Sequence, residues 1–361
     1  MRIRVRTKPL TDGLAGRLRQ AISEGRFADG QLPDERTLTT TFGVSRGTVR
    51  SALAALERDG LIVRLQGRGT LLRKGAGLPA AAAVRIGVIS SRFSELKEGE
   101  TDASGGYYGE LLRGLTAAAA AAGQDLVVYG PGGPGRLEEI AGSGVSGLLL
   151  VAVTDPDVLR RAVRTGLPAV LVDYATDAVE IDSVDIDSDG GAAAAVRHLH
   201  GIGHRDIAYI DWSQRELSRP RFEGYRRGLK LADLRYRADR VAAGPSHEDG
   251  GAAAMQSLLA LRPRPTAVFV FSDTMARGAV RAALAAGVRV PEDLSVVGFG
   301  DLPVATSEPP HLTTMRVDCA AMGAAAVRRL TERIRRPGMK PARVLMPAAL
   351  VERETCRALE G

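Results

Sequence analysis

Two arginines stand one turn apart on the predicted exposed face of a short basic helix near the start of the chain. In VSRGTVRSALAALERDG, apolar residues fall at i, i+3, i+4 and i+7 from Val49, which predicts one buried helical stripe. Arg46 and Arg50 then point the other way. An α-helix fits the major groove of DNA, where an arginine can donate two hydrogen bonds to one guanine. The stretch therefore predicts a DNA-reading helix, and the alternative is a solvated basic helix in an ordinary bundle.

A second set of candidate side chains follows predicted strands, or stands nearby, in the rest of the chain. Ligands of open parallel sheets bind beyond the carboxyl ends of the strands. A sugar needs carboxylate and arginine groups for its hydroxyls and an aromatic face for its ring, and Asp173, Arg221, Trp212 and Phe93 supply those types. The alternatives are helix capping for Asp173, a surface salt bridge for Arg221, and packing in the core or between lobes for Trp212.

The basic helix is positioned by neighbouring elements that the sequence also predicts. An amphipathic helix over 10–22 would pack behind it, and a short helix ending at Gly43 precedes it. Ser45 is a natural N-cap, because its hydroxyl can accept from the free amides of the first turn. Strands over 61–65 and 70–73 flank a glycine-rich turn. Together these elements predict an α+β winged helix-turn-helix.

This segment resembles the DNA-binding head of the GntR family of bacterial regulators. The matching motifs are LPDER, VSRGTVR, ERDGL and QGRGT, and the resemblance covers roughly residues 1–73. By position, the resemblance implies contacts of three kinds. Arg36 and Ser45 would contact phosphates or base edges. Arg46, Thr48 and Arg50 would contact bases in the major groove. The wing residues Gln66, Gly67 and Arg68 would lie along the minor groove.

The charge distribution agrees with a nucleic-acid partner for the head alone. The net charge of the 361 residues is +7, but residues 1–75 hold 15 basic and 7 acidic residues, so the rest sums to −1. Localised basicity attracts phosphates.

No stretch approaches the roughly 20 apolar residues of a membrane span, and the N-terminus lacks the apolar core of a secretory signal, so we expect a cytoplasmic protein. Cys319 and Cys356 fit no metal spacing.

After a small-residue stretch at 74–83, which we interpret as a linker, the pattern changes to apolar strands alternating with helices. Strands are predicted over 84–90, 125–130, 145–153, 168–174, 206–211, 266–272 and 294–300. Helices are predicted over 107–122, 156–165, 190–202, 221–232, 250–261 and 274–286. Such alternation indicates parallel sheets flanked by helices, and its two runs suggest an α/β domain of two lobes.

The blocks VDIDSDGGAAAAVRHLHGIGHRDIAYI and FSDTMARGAVRAALAAGVRVPEDLSVVGFGDLPVATSEPPHLTTMRVD resemble the effector domain of the LacI family, akin to periplasmic sugar-binding proteins. The resemblance covers 84–361. It implies three crossings between lobes, with lobe one at about 84–175 plus 303–335 and lobe two at about 176–302 plus 337–361. Arabinose repressors resemble this combination of head and body.

The two resemblances imply a ligand-responsive transcription regulator, expected to be a repressor acting as a homodimer on a pseudo-palindromic operator. A sugar or sugar derivative would bind between the lobes. Arg221 stands in RFEGY, which matches the family's R-x-x-G-aromatic pattern around a ligand-gripping arginine. Ser272 and Asp301 are further candidate ligand contacts. The family often has Asn-Asp where this chain has Ser272-Asp273, and Asp-Asp where it has Gly300-Asp301, so either the ligand differs or the site is degenerate.

Other chemistry finds little support. Asp185-x-Asp187-x-Asp189-Gly imitates the start of a calcium loop, but position twelve is Val196 and no helix precedes it, so helix caps and turns explain the aspartates. No nucleophile, metal or cofactor constellation is present, so we expect no cofactor and no enzyme. A solute-binding protein with a vestigial head and an enzyme on the α/β body remain the alternatives.

Overall fold

The structure, a computed structural model, describes residues 9–23, 27, 31–58, 61–65, 69–72, 84–90, 92, 106–130 and 133–359. The chain divides into two compact units, Met1–Val84 and Arg85–Gly361. The predicted linker at 74–83 lies outside the described residues. Among the helices described, none combines the length and apolarity needed to cross a membrane.

The first unit is a winged helix-turn-helix. In chain order its elements are α1 (Pro9–Ser23), β1 (Gln31–Leu32), α2 (Glu35–Phe42), α3 (Arg46–Arg58), β2 (Ile62–Leu65) and β3 (Gly69–Leu72). The strands form an antiparallel sheet in the order β1-β3-β2. The predicted apolar stripe of α3 is buried, and Val49, Leu53 and Leu56 pack with Leu18 of α1 and Leu38 of α2. Gly43 ends α2 with a left-handed φ of 63°, as predicted.

The second unit alternates strands and helices. Its first half contains β4 (Arg85–Ser90), α4 (Tyr107–Ala121), β5 (Asp125–Tyr129), α5 (Leu137–Gly142), β6 (Gly147–Val151), α6 (Pro156–Arg164), β7 (Ala169–Val172), β8 (Asp182–Ile186) and α7 (Ser188–Gly201). Its second half contains β9 (Ile207–Trp212), α8 (Arg215–Leu231), β10 (Val241–Gly244), α9 (Glu248–Leu259), β11 (Ala267–Val270), α10 (Asp273–Ala285), β12 (Ser295–Gly300), β13 (Thr313–Val317), α11 (Cys319–Arg335), β14 (Arg343–Met346) and β15 (Ala348–Val351).

Two six-stranded sheets organise this unit into two lobes. Lobe one has the strand order β14-β8-β7-β6-β4-β5, with every pair parallel. Lobe two has the order β10-β9-β11-β12-β13-β15, in which only β15 runs antiparallel. Helices α4 and α11 pack together in lobe one, whereas the pairs α7–α8 and α9–α10 pack in lobe two. The two-lobed α/β fold predicted from the sequence is therefore confirmed.

The predicted lobe boundaries need correction, because each crossing falls later in the chain than the sequence suggested. The boundary predicted at 175/176 lies after β8, which pairs with β7 in lobe one. The boundary predicted at 302/303 lies after β13, which pairs with β12 in lobe two. The third crossing, predicted between 335 and 337, lies at Pro347, which separates β14 of lobe one from β15 of lobe two. Proline lacks the amide that a continuous strand would donate.

Asp182 is a buried charge that ties β8 to α11. Its side chain is fully buried, and its carboxylate accepts from Arg329 Nε at 2.8 Å and from Arg333 Nε at 2.7 Å. The amide of Ala342, just before β14, donates to the same carboxylate at 2.8 Å. The two arginines are themselves largely buried. Loss of this carboxylate would leave the largely buried Arg333 without its counter-charge, and Arg329 would keep only the exposed Glu332 at 3.4 Å.

We therefore expect Asp182→Ala to lower the free energy of unfolding by about 3–5 kcal/mol, because breaking a buried pair leaves an uncompensated charge. The matched control is Asp157→Ala, which removes an exposed carboxylate paired with Arg160 at 2.6 Å in the same lobe. It should change stability by less than about 0.5 kcal/mol. Urea unfolding followed by circular dichroism measures both, and equal losses in the two variants would contradict the assignment.

Candidate functional site

The exposed face of α3 presents the predicted DNA-contacting side chains. Ser45 Oγ accepts from the Thr48 amide at 3.1 Å and lies 2.9 Å from Thr48 Oγ1, so it caps α3 as predicted. Arg46 and Arg50 are exposed on α3, and Arg36 is exposed in the first turn of α2. Thr48 is half-buried beneath this face. The predicted wing contacts Gln66, Gly67 and Arg68 lie outside the described residues.

Arg50 is held by groups that sequence reasoning did not single out. Its Nε donates to Glu35 Oε2 at 2.9 Å, which bridges α3 to α2. Arg64 of β2 donates to the Arg50 backbone carbonyl at 3.3 Å, so a wing strand contacts the same turn of the helix. The Arg50 side chain nevertheless remains 68% exposed. An exposed pair of this kind contributes little stability, but it orients the guanidinium group.

A cavity opens between the two lobes at the carboxyl ends of both sheets. From lobe one it is lined by Tyr107, Tyr108, Asp173, Tyr174, Asp185 and Arg343. From lobe two its lining includes Trp212, Arg221, Phe271, Ser272, Phe299 and Leu302. The empty space measures about 1150 Å³, part of which is open to solvent. Binding sites for small molecules commonly occupy such a crevice.

Asp173 projects from the end of β7 and is gripped by two tyrosines. Its carboxylate accepts from Tyr107 Oη at 2.9 Å and from Tyr108 Oη at 3.0 Å. Burial raises the pKa of Asp173 to about 7, and the nearby Asp185 carboxylate adds to the rise, although the tyrosine hydroxyls oppose it. Its φ of 60° is left-handed, a conformation that aspartate tolerates better than most residues and that recurs at functional sites.

Arg221 of α8 is a buried cation at the back of the cavity, 8% exposed. Nη1 donates to the Phe271 carbonyl at 2.6 Å, and Nη2 donates to Ser188 Oγ at 3.2 Å. The guanidinium carbon lies 4.3 Å from the centre of the Phe271 ring and 3.7 Å from that of Phe299. Burial lowers the pKa of Arg221, and its Nε is buried with no hydrogen-bond partner. The predicted alternative of a surface salt bridge is wrong.

Trp212 combines the two roles that the sequence left open. It lines the cavity, yet it is only 9% exposed and packs on Phe271 with ring centres 5.3 Å apart. The Arg92 guanidinium carbon, at the end of β4 in lobe one, lies 5.1 Å from the indole centre. Trp212 therefore sits where the lobes meet and also forms part of the cavity wall. Phe93, the other predicted aromatic contact, lies outside the described residues.

The two further candidate ligand contacts, Ser272 and Asp301, lie in different surroundings. Ser272 lines the cavity and also caps α10, because its Oγ accepts from the Met275 amide at 3.3 Å. The structure does not place Asp301 in the cavity wall, in contrast to the prediction. Its carboxylate instead accepts from Arg316 Nε at 2.6 Å and from Arg353 Nη2 at 2.5 Å. These two ion pairs occupy both oxygens, so Asp301 serves the architecture of lobe two.

Several residues of the lobe-one wall were not singled out from the sequence, among them Tyr107, Tyr108, Asp185 and Arg343. Tyr107 and Tyr108 begin α4, and a pair of aromatics at the start of the helix after the first strand was the available signal. Asp185 was set aside as a turn residue, but it lines the cavity and accepts from Arg343 Nη2 at 3.1 Å. Its neighbour Asp187 does cap a helix as expected, accepting from the Gly190 amide at 2.9 Å. Within the described residues, no cluster of metal-ligating side chains is found.

The raised pKa of Asp173 predicts a pH-dependent stability. The pKa of Asp173 is raised from its ordinary value of 3.8 to about 7 in the folded state. Between these two pH values, the folded chain therefore keeps a proton on Asp173 that the unfolded chain has released. Stability from this group is therefore present below about pH 4 and is lost as the pH rises towards 7. We expect Asp173→Asn to gain melting temperature relative to the parent chain between pH 5 and pH 8. The exposed carboxylate of Asp177, in the same lobe, provides the control Asp177→Asn, and a gain of equal size there would refute the explanation.

Comparison with known proteins places both units. Residues 10–72 match the family described as bacterial regulatory proteins, gntR family, and residues 196–356 match the periplasmic binding protein-like domain. The transcriptional regulator CelR of Thermobifida fusca is 36% identical over 60% of this chain and 65% of its own length, just under two thirds. The ribose operon repressor of Escherichia coli K12 is 31% identical over 68% of this chain and 77% of its own length.

Solved structures agree. A CelR–cellobiose complex superposes with a TM-score of 0.68 at 27% identity, covering 90% of this chain and all of that one. A LacI family transcriptional regulator from Mycobacterium smegmatis gives a TM-score of 0.65 at 30% identity, covering 76% of this chain and 99% of that one. A winged-helix head and a two-lobed body with a crevice define the class of DNA-binding transcription regulators. The chain belongs to the LacI family through its body, and its head is of the GntR type.

Proposed function

We propose that this chain represses carbohydrate-related genes and that a sugar-like effector bound between the lobes changes its affinity for DNA. The observation that carries the proposal is the crevice that brings a tyrosine-held carboxylate, Asp173, and a buried cation, Arg221, to aromatic walls. Carboxylate and guanidinium groups bind sugar hydroxyls, and aromatic rings bind the apolar face of a sugar. CelR, which has been solved with cellobiose, shares the fold.

In the proposed DNA complex, α3 lies in the major groove. Arg46, Thr48 and Arg50 would read base edges, with Arg50 placed by Glu35. Contacts to phosphates or base edges would come from Arg36 and Ser45, and minor-groove contacts from the wing residues Gln66, Gly67 and Arg68. The excess positive charge of residues 1–75 supports DNA binding by this part of the chain, because it would attract the phosphate backbone.

We infer that the regulator acts in the cytoplasm as a homodimer on a pseudo-palindromic operator with half-sites about one helical turn apart. The effector would close the lobes and thereby alter the dimer geometry that sets the spacing of the two heads. It would act only through its different affinity for the two states. We propose no catalytic activity, in keeping with relatives that are transcription regulators.

A ligand screen followed by a gel shift tests this proposal. Sugars, sugar derivatives and nucleosides are first ranked by the increase in melting temperature that they cause, since a ligand that binds the folded chain stabilises it. The best ligand is then added to the chain bound to a fragment of its own promoter. We expect the complex to dissociate. A ligand that raises the melting temperature yet leaves the DNA complex unchanged at saturation would overturn the proposed regulation.

A further inference from the structure

The two walls of the crevice differ in chemistry. Lobe one contributes hydrogen-bonding groups, namely the carboxylates of Asp173 and Asp185, the hydroxyls of Tyr107 and Tyr108, and the guanidinium group of Arg343. A carboxylate has about four acceptor positions. The two tyrosine hydroxyls use two of those on Asp173, so acceptor capacity remains for the hydroxyls of a ligand.

The deep part of the lobe-two wall is apolar. Trp212, Phe271, Phe299, Leu302 and Val317 line the cavity from this side, and each is less than a tenth exposed. Three of the five are aromatic, which favours contact with a planar ring. The exposed charged residues Glu216 and Arg219 also line this side and lie in the first turns of α8.

The polar side chains among these apolar residues are largely engaged by the protein itself. Arg221 donates from both terminal nitrogens to the Phe271 carbonyl and to Ser188, while its flat face covers Phe271 and Phe299. Ser272 Oγ already accepts from the Met275 amide as the cap of α10. Ser246, Thr274 and the buried Arg221 Nε, which has no hydrogen-bond partner, also line this side, but the surface around Phe271 and Phe299 is mainly aromatic, in contrast to the lobe-one wall.

The backbone keeps this wall apolar. Gly300 has a φ of 131°, a conformation that side-chain-bearing residues rarely adopt. A Cβ added at Gly300 would also lie 3.0 Å from Leu302 Cγ and 3.3 Å from an Asp273 carboxylate oxygen. An acidic side chain thus has no place at this position, and the leucine fills the adjacent space.

We propose that the effector is a glycoside whose hydroxylated ring faces lobe one and whose anomeric substituent is a planar, apolar or aromatic group that packs against lobe two. This inference rests on the proposed function and specifies its ligand class. An aryl glycoside and a nucleoside share the chemistry, because both join a hydroxylated ring to a planar ring at the anomeric carbon. A disaccharide does not, because its second ring is puckered and carries hydroxyls, whereas the aromatic side chains of this wall favour a planar ring.

Matched ligand pairs test the proposal on the unmodified chain by isothermal titration calorimetry. In the β-D-gluco, galacto and xylo series, the methyl glycoside is compared with the phenyl glycoside. In the ribose series, the methyl riboside is compared with adenosine and uridine. Cellobiose serves as the polar two-ring ligand. We expect a planar substituent to tighten binding at least about tenfold in one series. Tighter binding of a phenyl glycoside would identify the effector as an aryl glycoside, and tighter binding of adenosine or uridine would identify it as a nucleoside.

A variant pair locates the substituent. Leu302→Ala is expected to remove most of the tenfold preference, because it weakens binding of the planar glycoside much more than binding of the methyl glycoside. Leu312→Ala, a buried leucine of the same lobe that does not line the cavity, should retain the preference despite a similar loss of packing. Equal affinities for methyl and planar glycosides, or a tighter cellobiose, would overturn this inference alone. Failure of every glycoside and nucleoside to bind would overturn the proposed effector as well.

Discussion

Arg50→Ala is expected to abolish the preference of this regulator for its operator while leaving its weak affinity for random DNA. An arginine that donates two hydrogen bonds to a guanine contributes about 1–3 kcal/mol of discrimination, and the proposed dimer on two half-sites would make the contact twice. Arg50 is 68% exposed and is oriented by Glu35, so its guanidinium group is available for the proposed contact. The measurement is the ratio of the Kd values for random and operator fragments at one salt concentration.

Arg58→Ala provides the matched control for this experiment. Arg58 is an exposed arginine in the last turn of the same helix, so its loss removes the same charge without removing a base contact. Both variants should weaken binding to random DNA slightly, but only Arg50→Ala should bring the ratio close to one. An unchanged ratio in Arg50→Ala would exclude Arg50 as a base-reading residue.

Arg221→Ala is expected to separate DNA binding from effector response. The variant should keep the operator affinity of the parent chain. Its affinity for the effector should fall by about 2–3 kcal/mol, since Arg221 Nε has no partner within the protein and a hydrogen bond from a charged group to the ligand contributes that much. Arg221 is buried behind the crevice and fixes Phe271 through a 2.6 Å hydrogen bond, so its loss also disturbs the aromatic wall. Effector titration by calorimetry and gel shift measures the two properties separately.

Two further variants keep the Arg221 result interpretable. Arg226→Ala removes an exposed arginine from the same helix and should change neither property. Arg221→Lys retains the charge but not the flat, forked group that stacks on Phe299, so we expect it to lose most of the response. A full effector response in Arg221→Ala would show that this cation does not belong to the binding site.

The head was predictable almost element by element because its signals are local. The cap at Ser45, the left-handed glycine at 43 and the 3.6-residue apolar period each act over a few residues, and all three are present as expected. The body was predictable as an alternation of strands and helices. Its lobe boundaries were not, because β8 has the sequence DSVDI and lacks the continuous apolar run of a central strand.

The cavity wall shows the same limit of local reasoning. Asp173 and Trp212 follow strands and were therefore found, whereas Tyr107, Asp185 and Arg343 reach the crevice only because distant segments fold together. Asp185 and Arg343 are 158 residues apart in the chain yet form one ion pair. No spacing rule within the sequence carries information about such a contact.

The most direct test of sequence-specific DNA binding controlled from the body is a salt titration of operator and random fragments, with and without effector. We expect affinity for both fragments to fall as salt rises, since counterions are released on binding. The operator preference should persist across the series without effector and should shrink when effector is added. Equal affinity for operator and random DNA at every salt concentration would contradict the account, whatever sugar the body binds.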